Sequence, residues 1–356
     1  MEPRLRDLLR TMTPYRPGRR PAEGQVAARL ASNETPYPPL PSVVAAITAA
    51  GSEGNRYPDP QAVRLTAAIA AHHGVRDEQV AVGCGSVALV QQIVQSTCDA
   101  GDEVVYGWRS FESYPLFAGI AGARSVEVPL VDEALDLEAI AAAVGPRTRL
   151  VLLCTPNNPT GPALAAGDVK SFLDSVRDDV VVVLDEAYAE FVREPGAVDG
   201  RIFLDDRPNI AVLRTFSKAY GLAGLRVGYC LSHPAVATAL RSVQVPFSVS
   251  SVAQAAALAS LAAHDELTQR VEQVVAERAR VAPSLRELGY AVPDAQGNFV
   301  WLPLRERSAA ASAAFDAHDV LVRCFAGDGL RITVADPASN DALLAAAAAI
   351  RDVALG

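Results

Sequence analysis

Four polar clusters sit where an apolar run gives way to a loop, and together they could carry amine chemistry. Lys218 lies in L-R-T-F-S-K-A-Y-G-L-A-G-L-R-V-G (213–228), directly after the β-branched run N-I-A-V-L-R (209–214). A lysine at a strand end can reach into a cleft, and burial that disfavours its charge makes it a nucleophilic amine. Thr215 and Ser217 flank Phe216, and Arg226 follows eight residues after Lys218, a set that suits a phosphate beside that amine. Asp185 ends V-V-V-V-L-D-E (180–186), a run too apolar for a surface strand, so its carboxylate needs a cation or several donors. T-P-N-N-P-T-G (155–161) places side-chain amides in a tight turn after L-V-L-L-C. G-C-G-S-V-A (83–88) lets backbone close on an anion at a helix start, where free N–H groups face outward. Each has a plainer reading: a solvated lysine, a structural ion pair, a stable turn. The last also fits G-x-G-x-x-A of dinucleotide folds, with Asp102 and Glu103 at about the right distance.

The elements that must position these groups alternate. From about residue 79 onward, strands (79–83, 102–107, 125–130, 149–154, 180–186, 209–214) are separated by helical stretches (86–97, 110–119, 137–144, 168–176). Runs such as V-V-V-V-L are apolar on both faces, as in a parallel sheet covered by helices. This predicts a doubly wound α/β core with its chemistry at the C-terminal strand ends. Upstream, 42–50 and 61–73 read as helices, and 4–10 as one short helical turn before a proline-rich arm. A further strand at 228–234, a long alanine-rich helical region at 251–288 broken near 264–265, and a tail of strands with helices at 308–317 and 340–355 predict a small α+β unit. The expected division is an arm over 1–30, a large domain over 31–250 and a small C-terminal domain over 251–356.

The chain has 356 residues, half of them hydrophobic, with a net charge of −9, which argues against nucleic acid or an anionic membrane as the main partner. Five scattered cysteines without a C-x-x-C pair read as reduced, buried thiols rather than disulfides or metal ligands. No apolar run is long enough to span a membrane and Met1 opens onto charged sequence, so a cytoplasmic enzyme is expected.

An amine that forms an imine, a strand-end carboxylate, an asparagine and a phosphate cradle point jointly to pyridoxal 5′-phosphate, with no metal. A nicotinamide oxidoreductase would account for G-C-G-S-V-A and none of the rest. A non-catalytic regulatory module would need a DNA-binding domain, for which the arm is too short. N-E-T-P, N-R-Y-P-D, P-N-N-P-T-G, D-E-A-Y, T-F-S-K and G-L-R-V-G occur in one order along the chain. In these motifs the chain resembles fold-type I pyridoxal-phosphate aminotransferases, in the branch of the histidinol-phosphate aminotransferase family. The resemblance implies Lys218 as the cofactor-linking lysine and Asp185 as partner of the pyridine nitrogen. It implies Asn158 and Tyr188 at the phenolic oxygen, Phe111 stacked on the ring, and Gly85, Ser86, Thr215, Ser217 and Arg226 about the phosphate. Tyr57 would reach the cofactor phosphate of a neighbouring subunit, making a homodimer part of the site. Arg331 would take a substrate carboxylate, with Tyr15, Asn33 and Arg323 as further substrate contacts. Thr155 departs from the asparagine many relatives carry there.

The stretches L-A-S-N-E-T-P-Y-P-P-L-P-S-V, V-G-C-G-S-V-A-L and Y-G-W-R-S-F-E-S-Y-P resemble the actinobacterial aromatic (phenylalanine) aminotransferases of that family. Trp108, Phe111, Tyr114 and Tyr15 would then supply an apolar pocket for an aromatic ring. The implied reaction moves an amino group between aromatic amino acids and 2-oxoglutarate by ping-pong transamination. Histidinol phosphate is the alternative substrate, with the arginines then holding a phosphate.

Overall fold

The computed structural model describes residues 3–6, 8–12, 18, 21 and 26–356. Two sheets organise them. The larger has seven strands: β2 (Val80–Gly83), β3 (Glu103–Trp108), β4 (Arg124–Pro129), β5 (Thr148–Cys154), β6 (Val181–Asp185), β7 (Ile210–Thr215) and β8 (Gly228–Ser232). Their spatial order is β2-β8-β7-β6-β5-β3-β4, with β8 antiparallel to both neighbours and the other pairings parallel. β5, β6 and β7 are almost wholly buried because apolar cores pack on both faces. This is why their sequences lack the polar alternation of a half-exposed strand. The chain is thus the mixed α/β architecture its pattern predicts.

Parallel pairing needs crossover connections, and helices supply them, Gly85–Thr97 after β2 and Ala166–Ser175 after β5 among them. The crossover after β3 begins at Ser113 rather than the expected 110. Ser110 is instead held in the preceding turn, its hydroxyl donating to Asn157 Oδ1 at 2.7 Å.

The smaller sheet joins β9 (Phe299–Leu302), β10 (Val320–Phe325) and β11 (Gly329–Thr333) as antiparallel neighbours in the order β10-β11-β9. A strand absent from the sequence reading, β1 (Ala28–Leu30), pairs parallel to β10 at its edge. Three residues are too few for a periodic signal, and the partner strand lies nearly three hundred positions away. Along the chain, between β8 and β9, lie helices Ser251–Ala262 and His264–Glu287, parted near His264 as expected. Buried Arg278 ties the second helix down by donating to the carbonyls of Phe191 (3.0 Å) and Gly297 (2.8 Å). The tail expected as one helix over 340–355 is two, Pro337–Ala349 and Arg351–Leu355, and it starts earlier because Asp336 caps the N–H of Ser339. Among the described residues no helix is long and apolar enough to cross a membrane.

Candidate active site

Cys154, Asp185 and Thr215 are the last residues of β5, β6 and β7, and all three face one cavity of about 500 Å³. The cavity lies at the C-terminal ends of the parallel strands, where the sheet cannot pair its own polar groups. Of the residues singled out in the sequence, Ser86, Phe111, Asn158, Asp185, Tyr188, Thr215, Ser217, Lys218, Arg226, Arg323 and Arg331 line it.

Lys218 is placed by its loop. Thr215 Oγ1 accepts the Ser217 N–H (3.1 Å), and fully buried Phe216 anchors the turn against Tyr220 and Tyr229. The amine is left donating to the Ser32 carbonyl at 3.1 Å. Burial, then the nearby Arg331 guanidinium, pull its pKa from 10.5 down to about 7. An amine so poised exchanges protons near neutral pH.

Asp185 is buried at 5 % exposure, and Tyr114 donates to its Oδ2 at 2.9 Å. Its Oδ1 is buried with no hydrogen-bond partner. Burial outweighs the Tyr114 bond and raises the carboxyl from 3.8 to about 6. Such an oxygen is a ready acceptor for an N–H brought in by a ligand.

On another wall, Gly85 opens the helix Gly85–Thr97 at φ +77°, and a Cβ there would stand 2.5 Å from Arg226 Nη2. Glycine therefore lets the guanidinium lie against the helix start. Gly228 is required by the same crowding: a Cβ would meet the Ser86 N at 2.6 Å. Arg226 Nη1 also donates to Ser217 Oγ (3.3 Å) and the Ala223 carbonyl (2.8 Å). Helix start, hydroxyls and guanidinium form a cradle suited to a phosphate.

Across the cavity, Arg331 donates to Asn158 Oδ1 (2.6 Å) and the Ala31 carbonyl (2.8 Å). Arg323 donates to both oxygens of Glu112, at 2.7 and 3.0 Å. Tyr188, its hydroxyl pushed up by burial, accepts from Asn33 Nδ2 at 3.0 Å.

Several expectations are corrected or displaced. Trp108 does not line this cavity: it lies under the Arg109 guanidinium (4.4 Å) beside a separate cavity of about 750 Å³, with Trp301, Arg305 and Asp328. Tyr114 lies beneath the floor, fully buried, its hydroxyl committed to Asp185. Asn33 sits behind the wall with both ends engaged, Nδ2 on Tyr188 and Oδ1 accepting from Thr333 Oγ1 at 3.1 Å. Tyr57 is 82 % exposed, is not among the residues lining the cavity, and stacks on Phe247 at 4.6 Å. Tyr15 lies outside the described residues. Thr155 is buried in a backbone role, its Oγ1 accepting the Leu164 N–H at 2.9 Å. The sequence reading missed Ser32, Glu34, Leu116 and Phe117 in the lining, and Glu112 behind Arg323. Glu34 and Glu112 stood inside quoted motifs, N-E-T-P and S-F-E-S-Y, but nothing local distinguishes a carboxylate aimed at a cavity from one aimed at water.

Similarity to known proteins agrees with this geometry. Residues 27–348 match the family model described as aminotransferase class I and II. The chain is 52% identical over 344 residues to a protein of Streptomyces coelicolor named aromatic amino acid aminotransferase, covering 96% of each. It is 54% identical to a Rhodococcus opacus protein of the same name, covering 97% of this chain and 95% of the relative. Its structure superposes on histidinol-phosphate aminotransferase from Sinorhizobium meliloti, solved in complex with pyridoxal-5'-phosphate, with a TM-score of 0.89 and 32% identity. That match covers 99% of this chain and 98% of the other. With a lysine, a carboxylate and an anion cradle gathered at the strand ends and a family match over nearly its whole length, the chain belongs to the class I and II aminotransferases.

Proposed function

We propose that this aminotransferase binds pyridoxal 5′-phosphate in the cavity at the strand ends and moves amino groups between aromatic amino acids and 2-oxoglutarate. The observation that carries the catalytic part is the pair Lys218 and Asp185: an amine held near pKa 7 and a buried carboxylate oxygen without a partner, lining one cavity. The residues fit the group. Asp185 Oδ1 would accept the pyridine N–H, Tyr188 and Asn158 would flank the phenolic oxygen, and Phe111 would cover the ring. The start of the helix at Gly85 and Ser86, with Thr215, Ser217 and Arg226, would hold the phosphate.

Bound there, the group supplies an aldehyde that captures amines and a ring that draws electrons from the Cα–H bond. Lys218 Nζ, neutral in part at pH 7, can take the proton from the substrate Cα and return it. Arg331 would fix the α-carboxylate by a two-pronged bond, which orients that Cα toward Lys218. Val87, Phe111, Leu116 and Phe117 offer an apolar wall for the side chain. This wall, and the names of relatives more than 50% identical, support an aromatic substrate.

A homodimer belongs to the same reading. Tyr57 points outward, as a residue serving a neighbouring subunit would, in company with Val63 (55 % exposed) and Val245 (70 %). A cytoplasmic location and the division into an arm, a large domain over 31–250 and a small domain over 251–356 are proposed with it.

The test is a paired assay on cofactor-loaded protein, phenylalanine against histidinol phosphate, each with 2-oxoglutarate and read as glutamate formed. Faster turnover with phenylalanine is expected. A strong preference for histidinol phosphate would overturn the aromatic reading and reassign Arg323 and Arg331 to a phosphate.

A further inference from the structure

Tyr188 follows β6 of the larger sheet, yet the contacts that fix its ring and hydroxyl come from the smaller one. Phe299 of β9 packs edge-on to its ring at 5.0 Å. Thr333 of β11 is the direct partner of Phe299, so both project to the same face. Asn33, three residues past β1, stands between Thr333 and Tyr188 and touches both. Neither Asn33 nor Thr333 lines the cavity, whereas Tyr188 does.

The donors and acceptors present fix the direction of every bond in this chain. The Asn33 backbone N–H can only donate, and Thr333 Oγ1 accepts it at 2.9 Å. The single Thr333 hydroxyl proton is left for Asn33 Oδ1, 3.1 Å away. The other end of the amide, Nδ2, then faces Tyr188 and donates to its hydroxyl at 3.0 Å. Turned over, the amide would strand the proton of Thr333, which is 1 % exposed and makes no other side-chain hydrogen bond among the described residues. Asn33 is itself fully buried, and Asn298 Nδ2 donates to its carbonyl at 3.1 Å. Its backbone lies in the left-handed region at φ 53°, which asparagine and aspartate tolerate better than most residues.

We propose that Thr333 and Asn33 are positioning residues: they hold the Tyr188 hydroxyl as an acceptor on one side, so that its own proton is directed into the cavity, toward a negatively charged ligand oxygen. That oxygen is the phenolic one of pyridoxal 5′-phosphate, so the inference deepens the proposed function and rests on it. A donor aimed there favours the oxygen's charged form and lowers its proton affinity. The charged and titratable groups facing Tyr188 are Lys218 Nζ, 5.8 Å over the ring, Arg331 of β11, and Cys154 and Asp185 at the ends of β5 and β6. All four are retained in the variants below.

The experiment is a pH titration of the absorbance of pyridoxal 5′-phosphate bound to the protein. Tyr188→Phe sets the scale, raising the midpoint by about 1–2 pH units, the value of a hydrogen bond to a charged group. Thr333→Val, which keeps shape and removes the hydroxyl, lets the amide turn and raises the midpoint by about 0.5–1 unit, a three- to tenfold gain in proton affinity. Thr333→Ser restores the original value. Added to Tyr188→Phe, Thr333→Val gives no further shift, which separates an effect through Tyr188 from a general change in packing. Asn33→Asp is a second variant: it keeps the size and the backbone but presents only acceptors to Tyr188, and it shifts the midpoint the same way. Thermal melts check that each variant is folded. A midpoint within about 0.2 unit of the original in Thr333→Val and Asn33→Asp, with Tyr188→Phe shifted, overturns the proposal and leaves the cofactor reading intact. An equal shift from Thr333→Val with and without Tyr188 also overturns it. If the unmodified protein binds no pyridoxal 5′-phosphate, this assignment falls together with the cofactor reading. If the midpoints move as expected but no amino acid is turned over, the proposed reaction fails and the role of Thr333 and Asn33 stands.

Discussion

Asp185 and Glu186 are neighbours at the end of β6, both almost wholly buried (5 % and 1 % exposed), and strand pleating sends them to opposite faces of the sheet. On one face Glu186 accepts from Arg214 Nε (2.8 Å) and the Gly200 N–H (2.6 Å). Arg214 reaches on to Asp199 (3.3 Å), Asp199 holds Arg201, and Arg201 meets His73 Nδ1 at 3.2 Å. His73 Nε2 lies 2.7 Å from the Tyr229 hydroxyl. Burial lowers the Arg214 pKa, but Glu186 and Glu190 more than restore it, so the guanidinium is held charged above its ordinary range. On the other face Asp185 has the Tyr114 hydroxyl and an oxygen with nothing on it. A buried charge surrounded by partners specifies shape. One left short of partners stores an unmet demand at the place where a ligand can meet it.

The largest effect that would sharpen this contrast is on the cavity side. Lys218→Ala should lower turnover by about 10⁴-fold while circular dichroism stays native, since proton transfer alone is worth up to about that factor. A variant retaining substantial turnover would remove Lys218 from the chemistry.

On the opposite face the expectation reverses. Glu186→Gln breaks a buried pair and leaves Arg214 short of its closest counter-charge, so unfolding in denaturant should show a loss of about 3–5 kcal/mol. The folded fraction should keep its kcat. An undiminished stability would mean Asp199 and Glu190 suffice, and the two faces would not differ as described.

Asp185→Asn should do the opposite of Glu186→Gln in both respects. Turnover falls by about 10²–10³, the scale for removing one preorganised electrostatic group. The cofactor-free protein, however, becomes more stable at pH 7. Because the folded pKa is raised, from 3.8 to about 6, the folded state binds the extra proton between those values. The cost of the buried charge therefore grows as pH rises through that window and is complete above it, at up to roughly 3 kcal/mol. Destabilisation at pH 7 would show that Asp185 is structural like its neighbour.

Lys218 shows the same logic with the other sign of charge. Its folded pKa is lowered from 10.5 to about 7, so the unfolded chain binds the extra proton between them. Stability of the cofactor-free protein should rise across that interval, and the Lys218 contribution to the slope should vanish in Lys218→Met. The smallest expected effect is that of Tyr114→Phe, about tenfold in turnover, the scale of one hydrogen bond to a charged group. The Asp185 carboxyl should then titrate above its present value, so the loss of stability with rising pH deepens and extends to higher pH.

Much of this was legible because it is local. The β5–β7 strands announced themselves by apolar runs, and Lys218, Asp185 and Thr215 by standing where those runs end. What escaped was long-range. β1 exists only because β10 offers an edge. Trp108 was expected in an aromatic pocket, yet it packs under Arg109, whose charge Asp328 holds from 219 residues away. Asn33 was expected at the substrate and is engaged by Tyr188 and Thr333. No periodicity encodes such pairings, since each depends on the backbone elsewhere.

The amino-acid sequence by itself determined which segments must be buried on two faces, where helices cover them, and which reactive groups stand at the strand ends. Patterns of side-chain polarity at fixed spacing carry that information, because burial of apolar surface drives them. Only the tertiary structure decided which polar groups are left wanting a partner. Asp185 and Glu186 are adjacent acids after the same valines. What separates them is that Arg214 and Gly200 converge on one face, while the other opens onto a cavity.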